Sequence, residues 1–67
     1  MFVLIFDIPA SMRSLARKVE RRLNAINASM LQRSVWRHHS ARELIKIRNE
    51  IVSNGGKAFV LVEMKIS

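Results

Sequence analysis

The first residue of this chain whose side chain could bind a metal or take part in catalysis is an aspartate at the end of an apolar run. Phe2 to Phe6 are five consecutive apolar residues, and Asp7 follows directly, two positions before Pro9. A carboxylate held by a rigid strand end can help bind Mg²⁺, which takes one or two carboxylates together with waters and phosphate oxygens. The alternative is a turn residue whose carboxylate bonds backbone N–H groups ahead of the proline. One carboxylate is too few for a hydrolytic site, so a catalytic Asp7 requires a second copy related by a two-fold axis.

Basic side chains form the second group that could do chemistry. The chain has 12 Lys and Arg against 5 Asp and Glu, a formal net charge of +7 in 67 residues. Such a density of positive charge indicates a polyanionic partner, nucleic acid before an anionic membrane surface. Arg13, Arg17 and Arg21 repeat every four residues on one side of a helix, where they repel one another unless phosphates offset the charge. The residues predicted to contact nucleic acid are Arg13, Arg17, Lys18, Arg21, Arg22, Arg33 and Arg37.

The remaining polar and aromatic candidates are interpreted as structural residues. His38 and His39 are adjacent, so on a strand they would point to opposite faces and be poorly placed to share a metal; we interpret them as loop residues. Ser34 has no sequence sign of a base beside it. We interpret Trp36 as a residue of the core or of a dimer interface, ahead of base stacking. The sequence contains no glycine-rich phosphate loop, HExxH motif or Ser-His-Asp arrangement.

Hydrophobic patterning predicts the strands that position these residues. Residues 2–7 are rich in Phe, Val and Ile and too short for a helix, so they form a strand that is apolar, and hence buried, on both faces. Residues 29–37 carry apolar side chains without helical spacing. They are extended, either as one long strand or as two short strands broken near Arg33 and Ser34. Residues 57–66 are β-branched and loosely alternating, which predicts a last strand.

Two segments have the periodicity of amphipathic helices. The first begins with Ser11 as N-cap and ends within residues 24–29, where asparagines and a serine loosen the pattern. The second begins with a capping box formed by Ser40 and Glu43 and closes at Gly55 in the left-handed conformation. The first apolar face consists of Met12, Leu15, Ala16, Val19, Leu23 and Ile26, and the second of Leu44, Ile45, Ile47 and Ile51.

The order β-α-β(β)-α-β predicts a ferredoxin-like α+β sandwich, with residues 1–67 as a single domain and two helices on one face of an antiparallel sheet. Two helices cover only one face, so we expect a second copy to cover the other and the protein to be a homodimer. A chain of this size buries only about 60% of its unfolded surface. It has no cysteine for a disulfide, which leaves oligomerisation as the expected support.

The N-terminal apolar run is not interpreted as a targeting segment. It lacks a leading basic region and a small-residue cleavage site, so it does not resemble a signal peptide. No run approaches the roughly 20 apolar residues that span a bilayer. Together with the absence of cysteine, this predicts a soluble protein of the reducing cytoplasm, without a membrane partner.

Three segments in this order resemble the small CRISPR-associated endoribonuclease family: FVLIFDIP, the Arg-rich first helix, and LQRSVW ahead of the second helix. Members of that family are the small partner of the integrase in spacer acquisition. The resemblance covers residues 1–63. Its most specific parts are the strand that ends at Asp7 and the segment with Gln32, Ser34, Val35 and Trp36.

The resemblance implies a ferredoxin-like homodimer with a Mg²⁺ site formed by Asp7 from both copies. The metal would activate a water and neutralise the charge that develops on the phosphodiester during cleavage of RNA or DNA. Phe6, Arg13 and Arg17 would then support or position the substrate. Some members of the family act mainly as a non-catalytic scaffold that grips the DNA to be integrated.

The same signature also resembles the C-terminal domain of phenylacetate-degradation-type repressors, which implies a regulatory dimerisation module without catalysis. A related small toxin ribonuclease is a third possibility. Compared with the CRISPR-associated family, the chain stops soon after the strand at 57–63. We therefore expect the final strand of the sheet to be shortened.

Overall fold

The computed structural model describes residues 1–64, which form one four-stranded antiparallel sheet and two helices in the order β-α-β-β-α-β. This confirms the predicted ferredoxin-like arrangement. Of the two alternatives for 29–37, the structure has two short strands separated at Arg33 and Ser34. The end of the predicted last strand, 65–66, lies outside the described residues. The strands are β1 (Phe2–Asp7), β2 (Ser29–Gln32), β3 (Val35–His38) and β4 (Lys57–Val62), and the helices are α1 (Arg13–Ala25) and α2 (Ala41–Ser53).

The first strand of the chain lies in the middle of the sheet. The strand order is β2-β3-β1-β4, and every neighbouring pair is antiparallel. Leu4 in β1 lies opposite Trp36 in β3 and Val60 in β4. Because each helix connects strands that have another strand between them, both helices pack over the sheet centre and on the same face.

The core lies between the helices and that one face of the sheet. Leu4 is fully buried there, and α2 packs against β1 and β4. The expectation that the first strand is buried on both faces does not hold within one chain, since Ile5 on the other face is 37% exposed. The buried apolar residues are Leu4, Val19, Leu23, Trp36, Leu44, Ile47, Ile51 and Ala58.

The start of α1 differs from the prediction. Its N-cap is Met12, not Ser11, and no side chain caps it. The reason is a turn in which the Met12 N–H donates to the Pro9 carbonyl at 2.9 Å. The N-cap therefore lies one residue later than predicted, and the helix begins at Arg13.

At the start of α2 the predicted N-cap is confirmed, because the Ser40 hydroxyl accepts from the Glu43 N–H at 3.3 Å. The other half of the predicted capping box is replaced, because the Ser40 N–H donates to the His38 ring.

Both helices end in the same way. After α1, the Ala28 N–H donates to the Leu23 carbonyl, and the intervening Asn27 has a φ of 59°. After α2, the Gly56 N–H donates to the Ile51 carbonyl. These six-to-one bonds mark Schellman motifs, which need a left-handed residue, usually Gly and sometimes Asn. The φ of 98° at Gly55 confirms its predicted role.

His38 is a structural residue and not the loop residue that the sequence predicted. It is the last residue of β3 and only 5% exposed. Its Nδ1 accepts from the Ser40 N–H at 3.0 Å, so its Nε2 carries the proton and donates to the Ile26 carbonyl at 2.8 Å. A single imidazole therefore ties the end of α1 to the start of α2, while the exposed His39 stacks on it.

Replacement of His38 is expected to destabilise the fold. The variant His38→Phe keeps a ring of similar size but leaves the Ile26 carbonyl and the Ser40 N–H without their partner. Each such loss typically costs about 1–3 kcal/mol, so we expect the free energy of unfolding, measured by urea titration, to fall by about that amount or more. His39→Phe, at an exposed position, should change it by less than about 0.5 kcal/mol. Equal effects of the two substitutions would contradict the role given to His38.

Candidate nucleic-acid interface

Within the described residues 1–64, one side of the sheet has no helix over it, and we call it the open sheet face. Its centre is apolar: Val3 and Ile5 from β1 alternate with the core residues, Val35 is opposite Ile5, and β4 adds Phe59 and Leu61. Phe59 is 62% exposed and Leu61 50% exposed. Large apolar side chains that cluster on one exposed sheet face are typical of an interaction surface.

Charged residues lie at the two ends of the open sheet face. At one end, Asp7 in β1 is directly opposite Lys57 in β4. At the other end, the Arg37 Nε donates to Glu63 at 2.7 Å. Each end therefore carries one positive and one negative side chain. As far as residues 1–64 are concerned, the open sheet face is close to neutral although the whole chain has a net charge of +7.

Asp7 is exposed at the end of β1, where the turn between α2 and β4 closely approaches its backbone. A Cβ added to Gly56 would meet the Asp7 carbonyl oxygen at 3.1 Å and the Ile51 side chain at 2.6 Å. Within residues 1–64, no group of three His, Asp or Glu side chains could hold a metal ion. One chain thus offers one carboxylate at this position, and the predicted metal site fits these residues only if a second copy supplies another.

The arginine stripe, formed by Arg13, Arg17 and Arg21, lies on the opposite side of the molecule. All three are exposed, while Val19 and Leu23 on the other side of α1 are buried. Successive members of the stripe are about 6 Å apart along the helix axis. Within the described part of the chain, none of the three has a carboxylate at ion-pair distance. Their charge is available to an external anion.

Two further cations of α1, Lys18 and Arg22, pair with a carboxylate of the same chain. Lys18 Nζ lies 2.6 Å from a Glu50 carboxylate oxygen, and Arg22 forms a hydrogen bond to the other oxygen. The Lys18 hydrogen bond is the main reason that the pKa of Glu50 lies below its ordinary value of 4.5; partial burial opposes this shift, and the Arg22 hydrogen bond adds to it. Glu50 belongs to α2, so this cluster joins the two helices and leaves Lys18 and Arg22 partly neutralised.

The other predicted site residues are scattered. Trp36 is 4% exposed and donates from its indole nitrogen to the Arg33 carbonyl at 3.1 Å. It is therefore a core residue that no base can stack on in this conformation. Arg33 is exposed in the turn between β2 and β3, and Arg37 is on the open sheet face. Phe6 packs against the core, and its N–H donates to the Ser34 carbonyl at 3.1 Å.

Sequence reasoning missed the Glu50 cluster and the Arg37–Glu63 pair. Both join residues more than 25 positions apart, since the separations are 28 and 26. No local spacing signals such a contact. The only clue was that Glu50 is an isolated acid near the end of a helix in a basic chain.

Comparisons with known proteins identify no family, because no protein-family model, no curated protein and no solved structure matches the chain. Across residues 1–64, neither helix has the length and apolar character needed to cross a membrane. The features that bear on function are therefore the open sheet face, the position of Asp7 and the arginine stripe.

The Glu50 cluster predicts a difference in stability at low pH. Because the folded-state pKa of Glu50 is lowered, its contribution is fully present above about pH 4.5 and is lost as the pH falls through the folded-state pKa. We expect Glu50→Gln to lower the free energy of unfolding by about 1 kcal/mol at pH 7, and the difference from wild type to shrink below pH 4.5. Urea titrations at pH 7 and pH 3 measure this.

Glu20→Gln is the matched control, since Glu20 is an exposed carboxylate of α1 without an ion-pair partner in the described range. Its unfolding free energy should follow wild type at both pH values. A Glu50→Gln deficit that is as large at pH 3 as at pH 7 would show that the cluster contributes through packing and not through charge.

Proposed function

We propose that this protein is a homodimer that binds nucleic acid and acts in CRISPR spacer acquisition beside the integrase, with Asp7 from both copies as the metal-binding residue of an endonuclease. The observation that carries the proposal is the separation of two surfaces. An apolar, nearly neutral sheet face bears Asp7 at its end, and an arginine stripe lies on the opposite side. The first suits a second copy of the chain, and the second suits a polyanion.

Charge supports the open sheet face as the contact between copies. Two chains of net charge +7 repel each other, and the repulsion is strongest where cations are unpaired, as on the outside of α1. On the open sheet face, Arg37 is paired with Glu63, and Asp7 and Lys57 offset each other. Burial of Phe59 and Leu61 there would contribute about 25 cal/mol for each Å² of apolar surface removed from water.

Asp7 supports the catalytic part of the proposal by its place on that same face. A contact between two open sheet faces brings both copies of Asp7 to one interface, whereas contacts through the helices would not. Paired carboxylates with waters and phosphate oxygens are a ligand set that suits Mg²⁺. Bound there, the metal would supply an activated water and charge neutralisation.

The arginine stripe supports a backbone contact that does not read sequence. Its three residues succeed one another at about 6 Å along the helix axis, so that their long side chains can reach successive phosphates of one nucleic-acid strand. Arginine also binds phosphate through two parallel hydrogen bonds. Contacts of this kind fix the position of a nucleic acid and leave its sequence unread.

A second candidate function is a non-catalytic dimeric scaffold or regulatory module. Lys57, directly across the sheet from Asp7, favours it, because a cation at that position competes with a metal ion for the carboxylate. In this case the arginine stripe still binds nucleic acid in the scaffold, while a purely regulatory module would need neither stripe nor metal.

The dimer prediction is tested by placing a charge on the open sheet face. Phe59→Glu buries a carboxylate in the proposed contact, so we expect the mass in solution, measured by light scattering, to fall from twice the chain mass of 7.7 kDa to one chain mass. Val52→Glu is the matched control, because Val52 is 51% exposed on α2, away from that face. It should remain dimeric. Wild type of one chain mass would refute the dimer.

The nuclease prediction is tested on labelled single-stranded RNA and duplex DNA. With Mg²⁺, wild type should cleave at least one of them, and Asp7→Asn should reduce the rate by roughly 100-fold or more, because transition-state stabilisation by the metal is worth several kcal/mol. EDTA should have the same effect. Glu43→Gln, which removes a carboxylate of α2 away from Asp7 and from the arginine stripe, should cleave like wild type.

Two other results of this assay would change the assignment of Asp7. Substrate that stays intact but binds equally to wild type and Asp7→Asn would establish the scaffold in place of the nuclease. Cleavage that survives Asp7→Asn would remove Asp7 from the mechanism.

A further inference from the structure

We propose that the dimer carries two nucleic-acid-binding surfaces that face away from each other, and that it therefore bridges two separate nucleic-acid segments. This inference rests on the proposed dimer. It adds what neither the fold nor the dimer alone specifies: the number of ligands bound and their relative placement.

The placement follows from the layers of the fold. Both helices pack on the core side of the sheet, and the arginine stripe lies on the side of α1 that faces away from that core. When two copies join through their open sheet faces, the sheets are inside and the helices are outside. The stripe of one copy then lies on one outer surface and that of its partner on the opposite outer surface.

The distance between the stripes separates them electrostatically. The chain measures 41 × 20 × 20 Å, and for two packed layers we take the stacking direction to be one of the short dimensions. Two stacked copies thus place the stripes at about twice 20 Å from each other. The Debye length is only about 8–10 Å at moderate salt, so a phosphate chain bound at one stripe does not repel a second one at the other.

Stiffness prevents one short duplex from occupying both stripes. Duplex DNA has a persistence length of roughly 150 base pairs, and bending 20–30 base pairs by 40–90° already costs about 1–6 kcal/mol. To reach the opposite surface a duplex would have to turn through about 180° around the dimer. Three arginines on each side do not compensate for that deformation, so two ligands bind in place of one wrapped ligand.

The Glu50 cluster removes two cations of α1 from each binding surface. Lys18 and Arg22 lie on the α2 side of α1 and are engaged by Glu50, which leaves Arg13, Arg17 and Arg21 directed outward. Three phosphate contacts on duplex DNA predict that log K falls with log salt at a slope of about −3 for each ligand. A duplex that touched both stripes would double this slope.

The experiment uses two populations of duplex DNA of about one helical turn, roughly 10 base pairs, one labelled with a fluorescence donor and one with an acceptor. We expect wild-type dimer to bind two duplexes per dimer and to produce energy transfer between them at low salt. Phe59→Glu, as a monomer, should bind one duplex per chain with the same slope of about −3 and produce no energy transfer. Val52→Glu should behave like wild type.

A triple variant tests the surface itself. Arg13→Gln with Arg17→Gln and Arg21→Gln should lose both binding and energy transfer, whereas Arg42→Gln with Lys46→Gln, which removes cations from α2, should keep both. Energy transfer that persists in the arginine triple variant would overturn the assignment of the stripe.

The outcomes separate the two proposals. One duplex per dimer with a slope near −5 would overturn the bridge while leaving a nucleic-acid-binding dimer intact. Energy transfer by the Phe59→Glu monomer would likewise overturn a bridge that needs the dimer. Absence of binding by wild type at low salt would instead refute the proposed function, and the bridge with it.

Discussion

Two helices of 13 residues each can cover only one face of the sheet, and the rest of the molecule follows from that constraint. β1 lies in the sheet centre and is apolar on both sides, with Leu4 fully buried under the helices and Ile5 on the other face partly exposed. A longer chain would add a further layer. In the described residues 1–64, the second apolar face remains at the surface.

The same constraint determines where the charged side chains lie on the surface. Cations cannot occupy the apolar centre of the open sheet face without loss of packing, so they lie on the helices or at the ends of the strands. Glu50 in α2 pairs with Lys18 and Arg22, the two cations of α1 that face it. The electrostatic contact between the helices at this point is therefore attractive. The arginines that remain point outward. The separation of the open sheet face from the arginine stripe is therefore a result of a small fold with a strongly basic composition.

Local sequence signals predicted much of this architecture. The strand break at Arg33 and Ser34, the Ser40 cap and the left-handed Gly55 all depend on neighbouring residues, and the structure has each of them. The errors have the same origin. Met12 replaces Ser11 as N-cap because of the turn from Pro9, a preference that the helix pattern does not contain.

Contacts between distant residues could not be read from local spacing. His38 is buried because the ends of two helices meet at its ring, and Glu50 is paired because α1 and α2 pack side by side. For the candidate site, the sequence predicted the exposed end of β1 at Asp7 and the outward arginine stripe, but not which cations would be neutralised. The roles of Asp7 and of the stripe in binding remain predictions.

The position of β1 also sets the order in which the chain can fold during synthesis. β1 is made first, yet its neighbours are β3 and the last strand, β4, with Phe2 opposite Val62. A ribosome releases the central strand long before the strand that completes its pairing. Until then the most apolar segment of the chain has one open edge and no full cover. The pairing of β1 on both sides therefore waits until β4 has emerged, and such pairing between strands distant in sequence is slow to form.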